Sequence, residues 1–402
     1  MRRILSLLLA FLLLCGLCAF PAGAEQAGGV REYTVDGFDL KVSLPLSFNA
    51  AWRGMTAEED SIAAMETTFE AVSRVFGKQP TLLLFAMTGD FQRELFIGLD
   101  EVSYADTRDQ ATEDLVRFVK AIETPMYEAE NDLHESRFRI VETTNNKYIQ
   151  HTAVCPSDRE MPYAASIYTN RDGKSLAVMC YSATPFSEDD LEEMKRIACS
   201  FVMGGEAQEF VRETEWFSGE DLGTTEYTSG SMRFVLPENL IVLDRNTPGD
   251  SMLLTGLKMD PDTVTDVLDI ESGAFSIEKY GSGLNTYFRV SDSSDALNFL
   301  PENQEDVTAF VQRAKEMYEE EFGMGNVSVD LISGKIEGSG AADELIWVKV
   351  KLENAMGYQV SYLTSIDGKA YTLFVQSEKK PVSAQDEKEA DEIIRNSTYL
   401  RP

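Results

Sequence analysis

The residues of this chain that could do chemistry are few. His134 and His151 are the only histidines, and the cysteines are Cys15, Cys18, Cys155, Cys180 and Cys199. A zinc site draws on Cys or His pairs at short spacing, as in His-Glu-x-x-His on a helix or Cys-x-x-Cys in a turn. The two histidines are too far apart for the first pattern, and Cys15 and Cys18, the only Cys-x-x-Cys pair, lie in an apolar leader. Cys155 could act as a nucleophile with His151 or His134 as base, but no residue pattern supplies the third group that would orient that base. There is no Gly-x-Ser-x-Gly elbow and no Gly-x-x-x-x-Gly-Lys phosphate loop; Gly281-Ser282-Gly283 and Gly338-Ser339-Gly340 read as turns. Asp244 to Asp250 opens like a calcium loop, yet Pro248 stands at the third ligand position and Thr255 at the twelfth, where a bidentate Glu is required. We therefore expect no catalytic, cofactor-binding or metal-ligating residues. Converged carboxylates, drawn from the 68 Asp and Glu, are the one hydrolytic chemistry that needs no motif.

The N-terminus bears on compartment. Arg2 and Arg3 precede an apolar run from Ile4 to Phe20, and Pro21 and Ala22-Gly23-Ala24 follow it. That order predicts a secretory signal over residues 1–24 with cleavage after Ala24. A retained membrane anchor is the competing reading, although an apolar run of roughly 17 residues is at the short limit for a span. A lipid anchor on Cys18 is disfavoured, because Leu17 stands where a small residue is needed. Loss of Arg2 and Arg3 leaves 34 basic against 68 acidic residues, a formal charge of 34 − 68 = −34. Such a chain repels nucleic acid and anionic membrane. The acids are dispersed, which favours solubility over a cation-collecting block, and a monomer is expected. Three cysteines remain; either one disulfide forms and leaves a free thiol, or all three are reduced, and we favour the second.

The elements that must hold any site read as one plan written twice. Leu40 to Pro45 and Met232 to Pro237 are alternating strands ending in Leu-Pro, which put Leu40, Val42 and Leu44, or Met232, Phe234 and Leu236, on one face. Leu115, Phe118, Val119, Ile122 and Met126 follow helical spacing, as do Val307, Phe310, Val311, Ala314 and Met317. Asp172-Gly173-Lys174 and Asp367-Gly368-Lys369 stand between apolar strands and predict tight hairpins. An acidic helix closes each half, Glu188 to Phe201 and Ala384 to Thr398. We read a signal over 1–24, a first α+β repeat over 25–203, a linker over 204–226 holding Trp216 and Phe217, and a second repeat over 227–402.

The halves diverge between the first strand and the central helix. In the first, Thr56 and Glu59 form a capping-box pattern ahead of Ile62, Met65, Phe69, Val72 and Phe76, which predicts one amphipathic helix stopped by Gly77 and Pro80. Strands over Thr81 to Met87 and Arg93 to Leu99 follow. In the second, Asp260-Pro261-Asp262 opens a shorter helix to about Ile270, with strands near Ala274 to Lys279 and Asn285 to Ser291.

On the Leu-Pro strand ends, the two Asp-Gly-Lys turns and the closing segments Ile197 to Phe201 and Ile394 to Thr398, each half resembles the PsbP and DcrB-like fold. That resemblance implies a curved antiparallel sheet packed by helices in an accessory or binding protein, often exported; it implies no ligand set for these residues. The expected function is accordingly an exported, non-catalytic accessory or binding protein of two tandem α+β domains. An exported hydrolase using converged carboxylates, or an acidic surface protein recruiting divalent cations, is the alternative.

Overall fold

The computed structural model describes residues 29–35, 40–57, 59–102, 105–126, 134–155, 160–203, 208–219, 221–293, 297–322, 327–337, 344–354, 357–377 and 380–401. The expected leader with Cys15 and Cys18, Pro156, residues 204–207 of the expected linker and the turn at 338–340 lie outside them. The described residues divide into two compact units, one of residues up to Val119 with Met126–Asp221, the other of Lys120–Pro125 with the residues from Leu222 on. Each is α+β, on sheets that are almost wholly antiparallel.

The first unit runs β1 (Val30–Val35), β2 (Leu40–Pro45), β3 (Phe48–Trp52), α1 (Asp60–Ala64), α2 (Phe69–Lys78), β4 (Leu82–Thr88), β5 (Arg93–Glu101), α3 (Thr112–Phe118), β6 (His134–Thr143), β7 (Lys147–Val154), β8 (Tyr163–Arg171), β9 (Lys174–Ser182), α4 (Glu188–Cys199), β10 (Val202–Met203), β11 (Phe210–Glu213) and β12 (Phe217–Ser218). Its main sheet has the order β11-β6-β7-β8-β9-β5-β4-β3, with β12 also on β6, and a smaller sheet is β1-β2-β10. The alternation of β2 buries Leu40, Val42 and Leu44, and Leu176, Val178 and Cys180 of β9 join them with Leu191, Met194 and Ile197 of α4. Each of these side chains leaves water almost completely, about 2 kcal/mol apiece for the aliphatic ones.

The expected single helix from Thr56 to Phe76 is two. Helix α1 ends at Ala64, Glu66 takes a left-handed φ of 51°, and α2 restarts at Phe69 with Thr68 as its cap, the Ala71 N–H donating to Thr68 Oγ1 at 3.2 Å. The break has a local cause: Thr67 and Thr68 are β-branched, and a threonine hydroxyl serves better at a cap than inside a helix. Thr56 and Glu59 make no capping box, since Glu59 caps α1 without a side-chain bond. Gly77 does not stop α2 either, which runs to Lys78 before Pro80. The apolar stripe packs into the core across the break: Ile62, Met65, Val72 and Phe76 are buried against Phe85, Met87 and Phe96. The central helix is α-helical to Phe118, passes through Val119–Glu123 as a π-helix and is α-helical again over residues 124–126.

The second unit runs β13 (Thr224–Ser229), β14 (Met232–Pro237), β15 (Ile241–Leu243), α5 (Met252–Leu257), α6 (Pro261–Ile270), β16 (Phe275–Glu278), β17 (Asn285–Asp292), α7 (Gln304–Phe322), β18 (Val327–Ile336), β19 (Glu344–Asn354), β20 (Gly357–Ile366), β21 (Lys369–Ser377), α8 (Ala384–Asn396) and β22 (Thr398–Tyr399). One sheet holds every strand, in the order β13-β14-β22-β18-β19-β20-β21-β17-β16-β15. Strand β22 joins it together, antiparallel to β14 and parallel to β18. Helix α5 was not expected. Helix α7, through Val307, and Phe299 ahead of it cover the face of β19 that carries Ile346, Val348 and Val350. Both hairpin turns are as expected, with Asp172 and Gly173 at φ 52° and 73° and Asp367 and Gly368 at 50° and 73°, the doubly left-handed turn that suits the twist of the strands.

Candidate functional site

The residues singled out for chemistry are mostly packed away. His151 of β7 lies flat on Phe138 of β6, ring centroids 4.3 Å apart, and burial pushes its pKa down to about 3. An imidazole held neutral in that way is a poor switch at neutral pH. Cys155, Cys180 and Cys199 form no disulfide. Burial pushes the Cys180 thiol up to about 12 and raises that of Cys199, the reverse of what a nucleophile needs. Strand pairing does set His134 opposite Val154, next to Cys155. That end of the hairpin borders residues outside the described set.

The calcium-like loop uses its first acid for its own turn. Asp244 accepts from the Asn246 N–H at 2.8 Å and from the Tyr227 hydroxyl at 2.7 Å, and the Asp244 N–H donates to Thr247 Oγ1 at 2.9 Å. Among the described residues no group of three or more His, Cys, Asp and Glu could hold a metal ion.

Carboxylates do converge, and cations lie between them. In the first unit Lys195 of α4 holds Glu192 and Glu213 at 2.8 Å each. Arg139, 3% exposed, reaches the same two acids, donates to Gln150 Oε1 at 2.7 Å and lies 4.5 Å from the Trp216 ring. In the second, buried Lys349 of β19 holds Glu387 at 2.7 Å and Asp391 at 2.8 Å, and the Tyr362 hydroxyl donates to Asp391 at 2.7 Å. Lys279 likewise bridges Asp386 and Glu389. Burial would raise the pKa values of Glu192 and Glu387, but hydrogen bonds from the lysines outweigh it and hold both below the usual range. Acids so held are ionised partners and not proton donors. The closest approach to an acid and base pair is Glu193, raised by burial, beside Asp190, which is lowered; but Asp190 is spent on the Ser187 cap and on Arg93 at 2.5 Å.

A different arrangement lies on the face of the second sheet that β16, β17, β21 and β20 turn away from the α8 core. Strand pairing lines up Ser276, Tyr287, Phe374 and Ser361 in one row. Beside it run Glu278, Asn285, Gln376 and Gln359, Glu278 falling one step past the Ile277–Thr286 pair. Ser276, Tyr287 and Ser361 are buried, whereas Glu278, Gln376 and Gln359 are half-buried and Asn285 is exposed. The amides are ordered by a chain of bonds: Gln376 Nε2 donates to Gln359 Oε1 at 2.9 Å and to the Tyr287 hydroxyl at 3.1 Å, and Gln359 Nε2 donates to Ser361 Oγ at 2.5 Å. Tyr287 stacks on Phe374 at 4.8 Å, and Arg289 lies over Phe374 at 5.2 Å. Burial raises the Glu278 carboxyl to about 7, with only Ser276 working against the rise. Buried polar groups on a sheet face are the uncommon observation here, and a carboxyl poised near neutrality among them marks a candidate site. On the opposite face, a cavity of about 30 Å³ among Ile277, Leu284, Leu373, Val375 and Ile393 has room for one water and no ligand.

Residue types alone did not single out this row. Its one signal in the sequence is the placing of Gln359, Ser361, Phe374 and Gln376 at alternate positions of otherwise apolar strands. Among the described residues no helix is long and apolar enough to cross a membrane. The chain matches no protein-family model and no curated protein. Among solved structures, the solution structure of cyanobacterial PsbP (CyanoP) from Synechocystis sp. PCC 6803 is similar to 44% of the chain and is covered over 92% of its own length, at 13% identity and a TM-score of 0.25.

Proposed function

We propose that the protein is an exported, non-catalytic accessory or binding protein built from two tandem repeats of one α+β plan, with its recognition surface on the second repeat. The observation that carries this reading is the row from Glu278 to Gln359, polar and with its two glutamines ordered by hydrogen bonds, at places where the first unit has Met87, Glu94, Tyr181 and Ala164. Three of those four are apolar or aromatic, and Met87 and Tyr181 pack with α1 and α2. The first repeat then acts as scaffold. Duplication is supported by the matching strand orders, β6-β7-β8-β9-β5-β4-β3 and β18-β19-β20-β21-β17-β16-β15. Export is supported by the leader pattern, and protein recovered from a secreting host should begin at Glu25.

The competing hydrolase reading is disfavoured by the lysines and arginines that hold the converged acids. The deciding experiment is an assay of the secreted protein with nitrophenyl esters and glycosides. No turnover above buffer is expected; turnover abolished by Glu278→Gln or Glu193→Gln would replace the binding reading with a hydrolytic one.

A further inference from the structure

We propose that the row Glu278, Asn285, Gln376 and Gln359 binds a neutral oligosaccharide laid across strands β16, β17, β21 and β20, an inference that rests on the binding-protein reading above. Neighbouring strands are roughly 4.8 Å apart, close to the length of one hexose ring, so each ring of a chain crossing the strands meets a new polar side chain. Sugar hydroxyls both donate and accept, and the row offers both: the Asn285 amide, the second N–H of the Gln359 amide, the Gln376 carbonyl oxygen and the Glu278 carboxyl. Gln376 spends both of its N–H groups on Gln359 and Tyr287, which turns its oxygen in a fixed direction. Among the described residues that oxygen takes no hydrogen bond. The Gln376 and Gln359 amides, locked before the ligand arrives, save the entropy that free surface side chains would lose on binding. Phe374, half-buried and two residues before Gln376 on the same face, borders the row with an apolar ring edge for sugar C–H groups.

Other ligand classes fit less well. An extended peptide pairs with an edge strand through its backbone, whereas this row lies across strands that have neighbours on both sides. Polyanions, nucleic acids and acidic glycans included, would be repelled by a chain that carries 68 acids against 36 basic residues.

The test is affinity electrophoresis of the full secreted chain in native gels cast with a soluble α-glucan, a β-glucan or a mannan. At least one gel should retard the protein, and Asn285→Ala and Gln376→Ala should each weaken that retardation fivefold or more. Gln385→Ala, on the exposed side of α8, should leave it unchanged. Asn285 is exposed, so its variant keeps the fold, as circular dichroism will verify. Unaltered mobility in every gel, or retardation that survives both variants, overturns the assignment. That failure differs from failure of the binding reading, which would show as turnover of the nitrophenyl substrates.

Discussion

Phe85, Phe96 and Met179 in the first unit and Ser276, Tyr287 and Phe374 in the second hold the same places in their sheets, by strand order and by pairing. Where the row is apolar, it is roofed: Phe85 and Phe96, 5.0 Å apart, are buried with Ile62, Met65, Val72 and Phe76. In the second unit Ser276 replaces the first ring, Tyr287 and Phe374 keep one stacked pair at 4.8 Å, and the larger aromatic group lies on the other face, where Phe234, Phe275 and Phe288 meet at 4.8–5.6 Å with Tyr227 against them. A buried phenyl ring contributes roughly 2–3 kcal/mol, so a unit that gives up such rings on one face must recover them on the other. The freed face can then carry polar side chains without unfolding its unit. The same contrast recurs under the closing helix: Gln150 and Lys349 occupy matching register, yet Arg139 and Lys195 draw on Glu213 of β11, while Lys349 takes its acids from α8 itself.

The largest expected effect tests that second contrast. Lys349→Met, which leaves Asp391 without a lysine and Glu387 with Lys351 alone, should cost about 3 kcal/mol, and Arg139→Met, which leaves Glu192 and Glu213 to Lys195, should cost less, about 2 kcal/mol, both read as urea midpoints. Hydrogen exchange should then quicken over α8 in the first variant and over residues 210–218 in the second; the same exchange pattern in both would break the comparison. Next comes acid lability. Because the folded His151 pKa is near 3 against an ordinary 6.5, the unfolded chain binds more protons between those values. The stability is fully present above pH 6.5 and is lost as pH falls towards 3, about 3 kcal/mol by pH 4. His151→Phe should shift the acid unfolding midpoint of the first unit downward; an unmoved midpoint refutes this.

Glu278 works in the opposite sense. Its folded pKa of about 7 lies above the ordinary 4.5, so its contribution is present below pH 4.5 and is lost as pH rises through 7. Glu278→Gln should therefore stabilise the unit by about 2 kcal/mol at pH 8, read from urea midpoints, and change nothing at pH 4. Equal effects at both values would show that the carboxyl is not buried as described. The smallest effect concerns the helix break: Thr68→Ala should cost about 1 kcal/mol and loosen α2 alone.

The parts of the fold legible in the sequence were those that local rules govern. Strand alternation in β2 and β14 and the Asp-Gly turns are each decided within a few residues. The break at Glu66 escaped because a stripe of apolar spacing runs straight through it; the stripe reports which side faces the sheet and not whether the backbone is continuous. The candidate site escaped for a different reason. Glu278, Asn285, Gln376 and Gln359 come together only because β17 pairs with β21, a contact between segments far apart in the chain, and no spacing rule reaches across it. The histidines and cysteines drew notice by type, and burial made His151 and Cys180 inert.

Strand β22 places a constraint on how the second unit is made. The hairpin β13–β14 meets the rest of its sheet through β22, at Met232 with Tyr399 and Arg233 with Thr398. Because a chain is synthesised from its N-terminus, that hairpin exists as an open-edged fragment until Thr398 and Tyr399 have been translated. Throughout that interval Phe234 and Leu236 lack their finished core and are exposed to chaperones and to neighbouring nascent chains. The vulnerable moment in this protein's life is thus a matter of timing during synthesis, set by two residues that close the sheet.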